Sequence, residues 1–355
     1  MPSRARLLLL TPARWAHRVV FLGAVPRAAY VLGRFRSPRQ AVYRWPESGP
    51  IPVGRRPCVF VHWDGAGEVR PHVLDYVRAL ADAGLSVLFV SNAGFLRADA
   101  LAAVKTVCAG VLIRRNVGYD FGAWREGFEQ LGLPREDTEF AVMANDSVYG
   151  PLRPVGEMLQ RLDFAQADAW GCTETWQSRY HLQSYFLAFS PRVLASAAWR
   201  RFWSEVLPTP SKHWVIQRYE IGLSQILIRA GFSARALWPY NRLIEDIEPA
   251  LLVEGRPDGQ YSADPLQDVR KAHARRVRDA AVYRVPLNPT SDLWRQLLRA
   301  GFPFIKRELL RANPSEVLDI VDWRDVARAA AGAKTGADFA LIERDLQRVL
   351  RDRAA

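Results

Sequence analysis

The 355-residue sequence predicts a mixed α/β fold, a mostly parallel sheet with helices on both faces. Three observations point there. Hydrophobic residues make up 49% of the chain, enough for a sizeable core. Short unbroken apolar runs recur between residues 58 and 144, as strands buried on both faces require. Segments with apolar residues at helical spacing separate those runs, and such alternation builds parallel sheets.

The elements follow in order. Residues 58–62 form the first buried-strand run, and residues 71–83 a helix with Val73, Leu74, Val77 and Leu80 on one face. Gly84 stops that helix, and 85–90 is the second strand. A short helix at 98–107 leads to a third strand at 110–113. Residues 122–131 read as helical, with Trp124, Phe128 and Leu131 on one side, and 140–144 is the fourth strand. Ligands in such sheets sit beyond the carboxyl ends of the strands, so chemistry is sought there.

After strand one, His62 to Gly67 make a partial dinucleotide fingerprint. Arg70 stands at the third glycine position, and strand two ends in Ser91 and Asn92 with no acid for a ribose. A dehydrogenase is thereby disfavoured. Asp64 is either a turn cap or a nucleoside contact. Strand three runs into Arg114, Arg115, Asn116, Gly118, Asp120 and Gly122. The glycines permit close backbone approach to a ligand. The arginines suit a diphosphate, and Asp120 suits sugar hydroxyls. Strand four runs into Asn145, Asp146 and Ser147, where an acid on a tight turn holds a divalent cation or merely starts a loop. Further on lie Thr173, His181 and Gln183, then Trp199, Phe202 and Trp203 at helical spacing, read as core. Glu220 opens a helix with Leu223, Ile226 and Leu227 on its apolar face. A helix N-terminus keeps a carboxylate ionised, so Glu220 is a candidate general base or simply a favourable terminal charge.

The net charge of +12 is unevenly spread: eleven arginines and one acid, Glu47, fall in residues 1–56. Apolar blocks share this arm, but no uncharged run reaches the roughly 18 residues that span a bilayer. Basic plus apolar reads as an interfacial helix on an anionic membrane surface. Nucleic acid is not an expected partner, since basic and aromatic residues do not interleave elsewhere. Cys58, Cys108 and Cys172 stand far apart, which suggests neither a zinc site nor a disulfide framework and fits a cytoplasmic setting. No pair of carboxylates suggests a glycoside hydrolase. The expected organisation is an amphipathic arm at 1–45, a Pro- and Gly-rich linker at 46–57, a catalytic domain at 58–250 and a helical C-terminal extension at 251–355 packed on it.

Several separate motifs, taken together, carry a family resemblance. They are Asn116-Val-Gly-Tyr-Asp-Phe-Gly-Ala-Trp124, Asn145-Asp-Ser-Val-Tyr-Gly-Pro151, Trp170-Gly-Cys-Thr173 and His181-Leu-Gln-Ser-Tyr-Phe186. Asn288-Pro-Thr290, Gly301 to Lys306 and Asn313-Pro314 follow in the same order. Over about 55–325 the chain resembles the rhamnan synthesis F family of polysaccharide glycosyltransferases. The resemblance implies a GT-A-like fold with a Rossmann-like nucleotide-binding half, and a nucleotide diphosphate sugar donor such as dTDP-L-rhamnose. The acceptor would be a growing polysaccharide or lipid-linked glycan of the cell envelope, and the enzyme would sit peripherally on the inner face of the membrane.

On that reading the nucleoside lies near His62, Asp64, Ser91 and Asn92. Arg114, Arg115, Asn116, Gly118, Asn145 and Ser147 serve the donor, and Asp146 holds Mg²⁺ or Mn²⁺. Where the family's wider class usually has two acids in this turn, only Asp146 stands here. Asp120 orients the sugar, and Glu220 takes the acceptor's proton for an inverting attack. His181, Gln183 and Thr173 contact the acceptor. The runner-up is an inactive nucleotide-sugar-binding or scaffold protein of a polysaccharide assembly complex.

Overall fold

A computed structural model describes residues 23–245, 265–332 and 338–354. The arginines at positions 4, 6, 14 and 18 of the basic arm lie outside these residues, as does the expected domain boundary at 250/251. The chain folds as the mixed α/β structure its patterning predicts. Its main sheet has nine strands: β1 (Ala41–Trp45), β2 (Pro57–His62), β3 (Ser86–Ser91), β4 (Gly110–Arg114), β5 (Ala141–Asn145), β7 (Ala169–Thr175), β8 (His181–Leu182), β9 (Phe186–Phe189) and β10 (Ala234–Trp238). A separate ribbon pairs β6 (Val148–Tyr149) with β11 (Ile305–Lys306).

The strand order is β1-β4-β3-β2-β5-β9-β7-β10, with β8 on β7. Strands β2, β3, β4, β5, β7 and β10 run one way, while β1, β8 and β9 oppose them. The chain moves outward from β2 through β3 to β4, then returns to the other side of β2 with β5. The order therefore reverses between β2 and β5. Loops leaving the carboxyl ends of two strands at such a reversal diverge and leave a crevice.

Alternate residues of each strand feed two cores. Cys58 and Phe60 of β2 join Val87 and Phe89 of β3 against the helix Pro71–Asp82. Val59, Val61, Leu88 and Val90 meet the helices Tyr119–Leu131, Ala197–Glu205 and Ile221–Arg229. Trp199, Phe202 and Trp203 pack there beside Phe121 and Phe128, as core residues.

Two expected boundaries move. Residues 41–45, assigned to the arm, are the antiparallel edge strand β1 on β4. Residues 46–57 are no free linker, because Ile51 and Val53 are buried in the core. At the other end, Leu293, Leu297, Phe302 and Phe304 join the first core, and β11 pairs with β6. The helix Phe339–Ala354 docks through Asp345, which accepts from Tyr149, Arg70 and Arg311.

Candidate active site

Beyond the carboxyl ends of β2 and β5, where the strand order reverses, three carboxylates and two cations come together. From β5, Asn145 and Asp146 project at the strand end. Asn145 Nδ2 donates to Asp120 Oδ2 at 2.8 Å, and its Oδ1 accepts from Ser147 Oγ at 2.5 Å. Lys306 Nζ donates in turn to Ser147 Oγ at 3.1 Å. One directional chain thus runs Lys306, Ser147, Asn145, Asp120. Burial, and then the charge of Asp146, push the half-buried Asp120 carboxyl up to about 6 from 3.8. The Asn145 bond and Lys306 oppose that rise, and Glu220 adds to it.

Asp146 is ion-paired with Arg307, whose Nη1 lies 2.9 Å from Oδ2 and also donates to the Asp146 carbonyl. The Trp63 amide donates to the same carboxylate oxygen at 3.5 Å. The turn is held against β11, where the Arg307 amide donates to Ser147 O at 3.0 Å. Burial lowers the Lys306 ammonium, while Glu220, Glu308 and Asp120 hold it up.

Glu220 arrives differently from expectation. The helix containing it starts at Lys212, runs through a π-helical segment Val215–Glu220 and continues as Ile221–Arg229. Glu220 is therefore not at a helix N-terminus, and the dipole argument does not apply to it. Ser184 orients it instead, donating to Oε1 from its amide at 3.2 Å and its hydroxyl at 2.9 Å. Oε2 has no hydrogen bond among the described residues. π turns inside helices recur at functional sites.

Other expected site residues lie inside the protein. Arg114, 0% exposed, donates to Glu126 Oε2 at 2.8 Å, to Asn92 Oδ1 and to Val117 O. Both Arg114 and Asn92 are thereby engaged, and Arg114 cannot meet a diphosphate. Its partner Glu126 also accepts the Gln40 and Ala41 amides, which ties β1 to the sheet. His62 is buried, its Nδ1 3.4 Å from Ser91 Oγ and its ring against Phe89. Burial lowers its pKa, with Asp146 opposing. Asp64 organises its own turn, accepting from the Ala66 and Glu68 amides and pairing with Arg70 at 3.2 Å. The backbone at Gly118 is left-handed, and a Cβ on Gly122 would sit 2.7 Å from the Val117 carbonyl. These glycines serve the turn over Arg114 rather than close approach of a ligand. Arg115 and Asn116 are exposed on that turn.

The expected acceptor contacts are also interior. Thr173, fully buried, bonds Gln183 Oε1 and the Tyr185 hydroxyl, both at 2.7 Å. Gln183 Nε2 reaches Asn288 Oδ1 at 3.1 Å, so two separate motifs meet as a polar strut. His181 Nδ1 faces the Arg179 carbonyl at 2.8 Å and is buried.

Four residues given no role from sequence stand at or near this end of the sheet. Lys306 and Arg307 come from far along the chain. Trp63 and Phe95 follow β2 and β3 and stay 53% and 52% exposed. An aromatic directly after a buried strand run was the available signal for Trp63. Lys306 closes the Gly301 to Lys306 motif, but nothing local gave it or Arg307 a role here.

As a metal centre the residues fit poorly. Among the described residues no three His, Cys, Asp or Glu side chains converge to hold an ion. Asp146, the expected ligand, is already neutralised by Arg307, and Asp120 is bonded to the Asn145 amide. A cation arriving on a diphosphate would find one paired carboxylate.

Known proteins resemble parts of this chain. It is 31% identical over 213 residues to virulence protein VirA of Vibrio anguillarum, covering 59% of this chain and 64% of VirA. It is 29% identical over 191 residues to protein y4gN of Sinorhizobium fredii, covering 53% and 50%. The chain thus spans less than two thirds of the length of these curated relatives. Among solved structures, the mannosyltransferase PcManGT of Pyrobaculum calidifontis, in complex with GDP-Man and Mn²⁺, aligns over 94% of this chain and 90% of its own. Identity there is 15% and the TM-score 0.33. Staphylococcus aureus TarS aligns over 78% and 88%, at 11% identity and TM-score 0.29. The motifs around Asn288, Gly301 and Asn313 lie beyond the stretch matched by a family model. That stretch, residues 87–245 with Asp120, Asn145, Asp146 and Glu220 inside it, matches the family of rhamnan synthesis protein F.

Proposed function

We propose that this chain is a glycosyltransferase of GT-A type that moves a sugar from a nucleotide diphosphate donor to a growing glycan. The observation that carries the reading is the convergence of Glu220, Asp120 and the Lys306/Arg307 pair at one sheet reversal. The match to rhamnan synthesis protein F favours a deoxysugar, rhamnose, carried as dTDP-L-rhamnose. The exposed rings of Trp63 and Phe95 offer the nucleobase a stacking surface at the ends of β2 and β3.

In the reaction the acceptor hydroxyl oxygen bonds to the anomeric carbon. The bond from that carbon to the phosphate oxygen breaks, and the nucleoside diphosphate leaves with the electron pair. Glu220 takes the hydroxyl proton on Oε2, held in line by Ser184 at Oε1. Attack opposite the leaving group inverts the anomeric centre. Asp120, fixed by Asn145, accepts from a donor sugar hydroxyl.

The acceptor is a polysaccharide or lipid-linked glycan at an anionic membrane surface. No described helix is long and apolar enough to cross a membrane. The helix Val25–Gly33 supports a surface role, since Val31, Leu32 and Phe35 are exposed beside Arg27, Arg34 and Arg36.

The test is release of nucleoside diphosphate by the purified full chain from dTDP-L-rhamnose, UDP-sugars and GDP-sugars, with glycan acceptor present. Transfer by the native chain and a loss of about 10²–10⁴-fold in Glu220→Gln is expected. Nucleotide binding without turnover would assign the chain instead to inactive sugar-nucleotide binders.

A further inference from the structure

The proposed reaction leaves one charge unanswered. A departing nucleoside diphosphate needs positive charge fixed where its negative charge develops. The expected answer, a metal on Asp146, meets a carboxylate already paired with Arg307. Resting on the glycosyltransferase reading, we propose that the donor's diphosphate is received by Lys306 and Arg307, two fixed cations at the end of β11, in place of a protein-held divalent metal.

Placement supports this first. Pairing of β11 with β6 sets Lys306 opposite Val148, two residues beyond Asp146, so both cations stand at the mouth of the β2/β5 reversal. Open α/β sheets bind ligands beyond the strand ends at such a reversal. Rigidity supports it next. Lys306 is held by Ser147 Oγ at 3.1 Å and lies 5.2 Å from the Tyr185 ring centre. Arg307 is pinned at Asp146 through Nη1 and packs on the Tyr149 ring. Charges held in place before the reaction need no reorganisation during it.

Unmet bonding capacity is the third support. Arg307 Nε is a buried donor with no partner among the described residues. A buried donor left unpaired is costly, so the fold leaves this guanidinium incompletely satisfied. A guanidinium fork suits phosphate oxygens, and the Arg307 side chain keeps 13% of its surface exposed beside its pair with Asp146. The charges of Glu220 and Asp120 act on Lys306, so its ammonium stands near both proposed sugar-side carboxylates.

The proposal reverses the sign expected at Asp146. Were Asp146 the metal ligand, Asp146→Asn would abolish nucleotide binding. If Asp146 instead competes for Arg307, Asp146→Asn frees the guanidinium and removes a repelling charge, so binding holds or tightens.

The experiment is calorimetric titration of the full chain with dTDP, UDP, GDP and inorganic pyrophosphate, in EDTA and in Mn²⁺. In EDTA the native chain binds at least one nucleoside diphosphate. Lys306→Met and Arg307→Gln each weaken it by about 10- to 100-fold, Arg307→Lys weakens it less, and Asp146→Asn binds as well or better. Melting temperatures of the ligand-free variants identify any that fail to fold, and the conservative Arg307→Lys then carries the comparison. Native-strength binding by Lys306→Met and Arg307→Gln would overturn the proposal. So would binding that needs Mn²⁺ and vanishes in Asp146→Asn. Absence of binding by the native chain, in either medium and with every nucleotide, would instead remove the glycosyltransferase reading beneath it.

Discussion

Asp120 makes the sharpest test of the site's electrostatics, because replacing it should stabilise the fold. Its carboxyl is raised from 3.8 to about 6 by burial and by the Asp146 charge. Between those two values the folded state binds more protons at Asp120 than the unfolded state. Stability contributed by this group therefore falls as pH rises through the window, and above about 6 the full cost is present. A shift of about two units corresponds to about 3 kcal/mol. Half-burial admits solvent, which brings a realistic figure to about 2 kcal/mol. Asp120→Asn keeps an acceptor for the Asn145 amide while removing the charge. It should melt roughly 3–6 °C above the native chain at pH 7.5. The gain should shrink as pH falls and disappear near pH 4. Thermal melts of both proteins from pH 4 to 8 decide it. A variant no more stable than native at pH 7.5, or a gain unchanged across the range, would refute the reasoning. A residue that costs stability when ionised is what a polar site held for function produces.

Three further outcomes are expected. Arg114→Met should cost about 3–5 kcal/mol in urea denaturation, because Glu126 would be left charged in the core, and Arg114→Met with Glu126→Gln should recover part of that loss. Trp63→Ala and Phe95→Ala should each weaken nucleoside diphosphate binding by about 1 kcal/mol in calorimetry while leaving pyrophosphate binding unchanged, since only the base stacks. Asp345→Asn should cost about 2–3 kcal/mol at pH 7 and expose the helix Phe339–Ala354 to protease. The Asp345 carboxyl is held well below the usual carboxylate range, with the Tyr149 and Arg311 bonds outweighing burial. Its stabilisation is therefore present above the unfolded value of 3.8 and lost as pH falls. The difference between native and variant should shrink in acid.

Much of the fold was legible because each core strand is a continuous apolar run flanked by a helix of clear period. Strands β2 to β5 lie where the runs at 58–62, 85–90, 110–113 and 140–144 put them. The antiparallel edge strand β1 was missed because Ala41–Trp45 carries Tyr43, Arg44 and Trp45 just before a proline-rich segment, and its partner is set by distant contacts such as Glu126. Asp120, Asn145 and Asp146 were readable as polar residues at or just past the ends of buried strands, whereas Glu220 was readable only as a carboxylate beside a helical run and its place in that helix was misjudged. The mistaken diphosphate role of Arg114 and acceptor role of Gln183 share one cause. Each side chain is satisfied by a partner far along the chain or on a packed helix, and a local window shows the donor without its acceptor.

Strand parity would have separated part of these cases. On β4, Val111 and Ile113 enter one core and Leu112 the other. Arg114 continues the Leu112 row, toward the helix Tyr119–Leu131, where Glu126 waits. On β5, Ala141 and Met143 face the same helix, so Asn145 ends that row opposite its first turn and meets Asp120. One rule thus turns Arg114 and Asn145, both buried, toward the same helix. The difference is depth: Glu126 lies two turns into the helix and Asp120 in its first turn. Nothing of this kind could find Lys306 and Arg307, which reach the site only because two short strands, β6 and β11, pair across more than 150 residues. A site assembled that way keeps its acids where the sheet topology dictates and recruits its cations from a segment whose local sequence looks like packing.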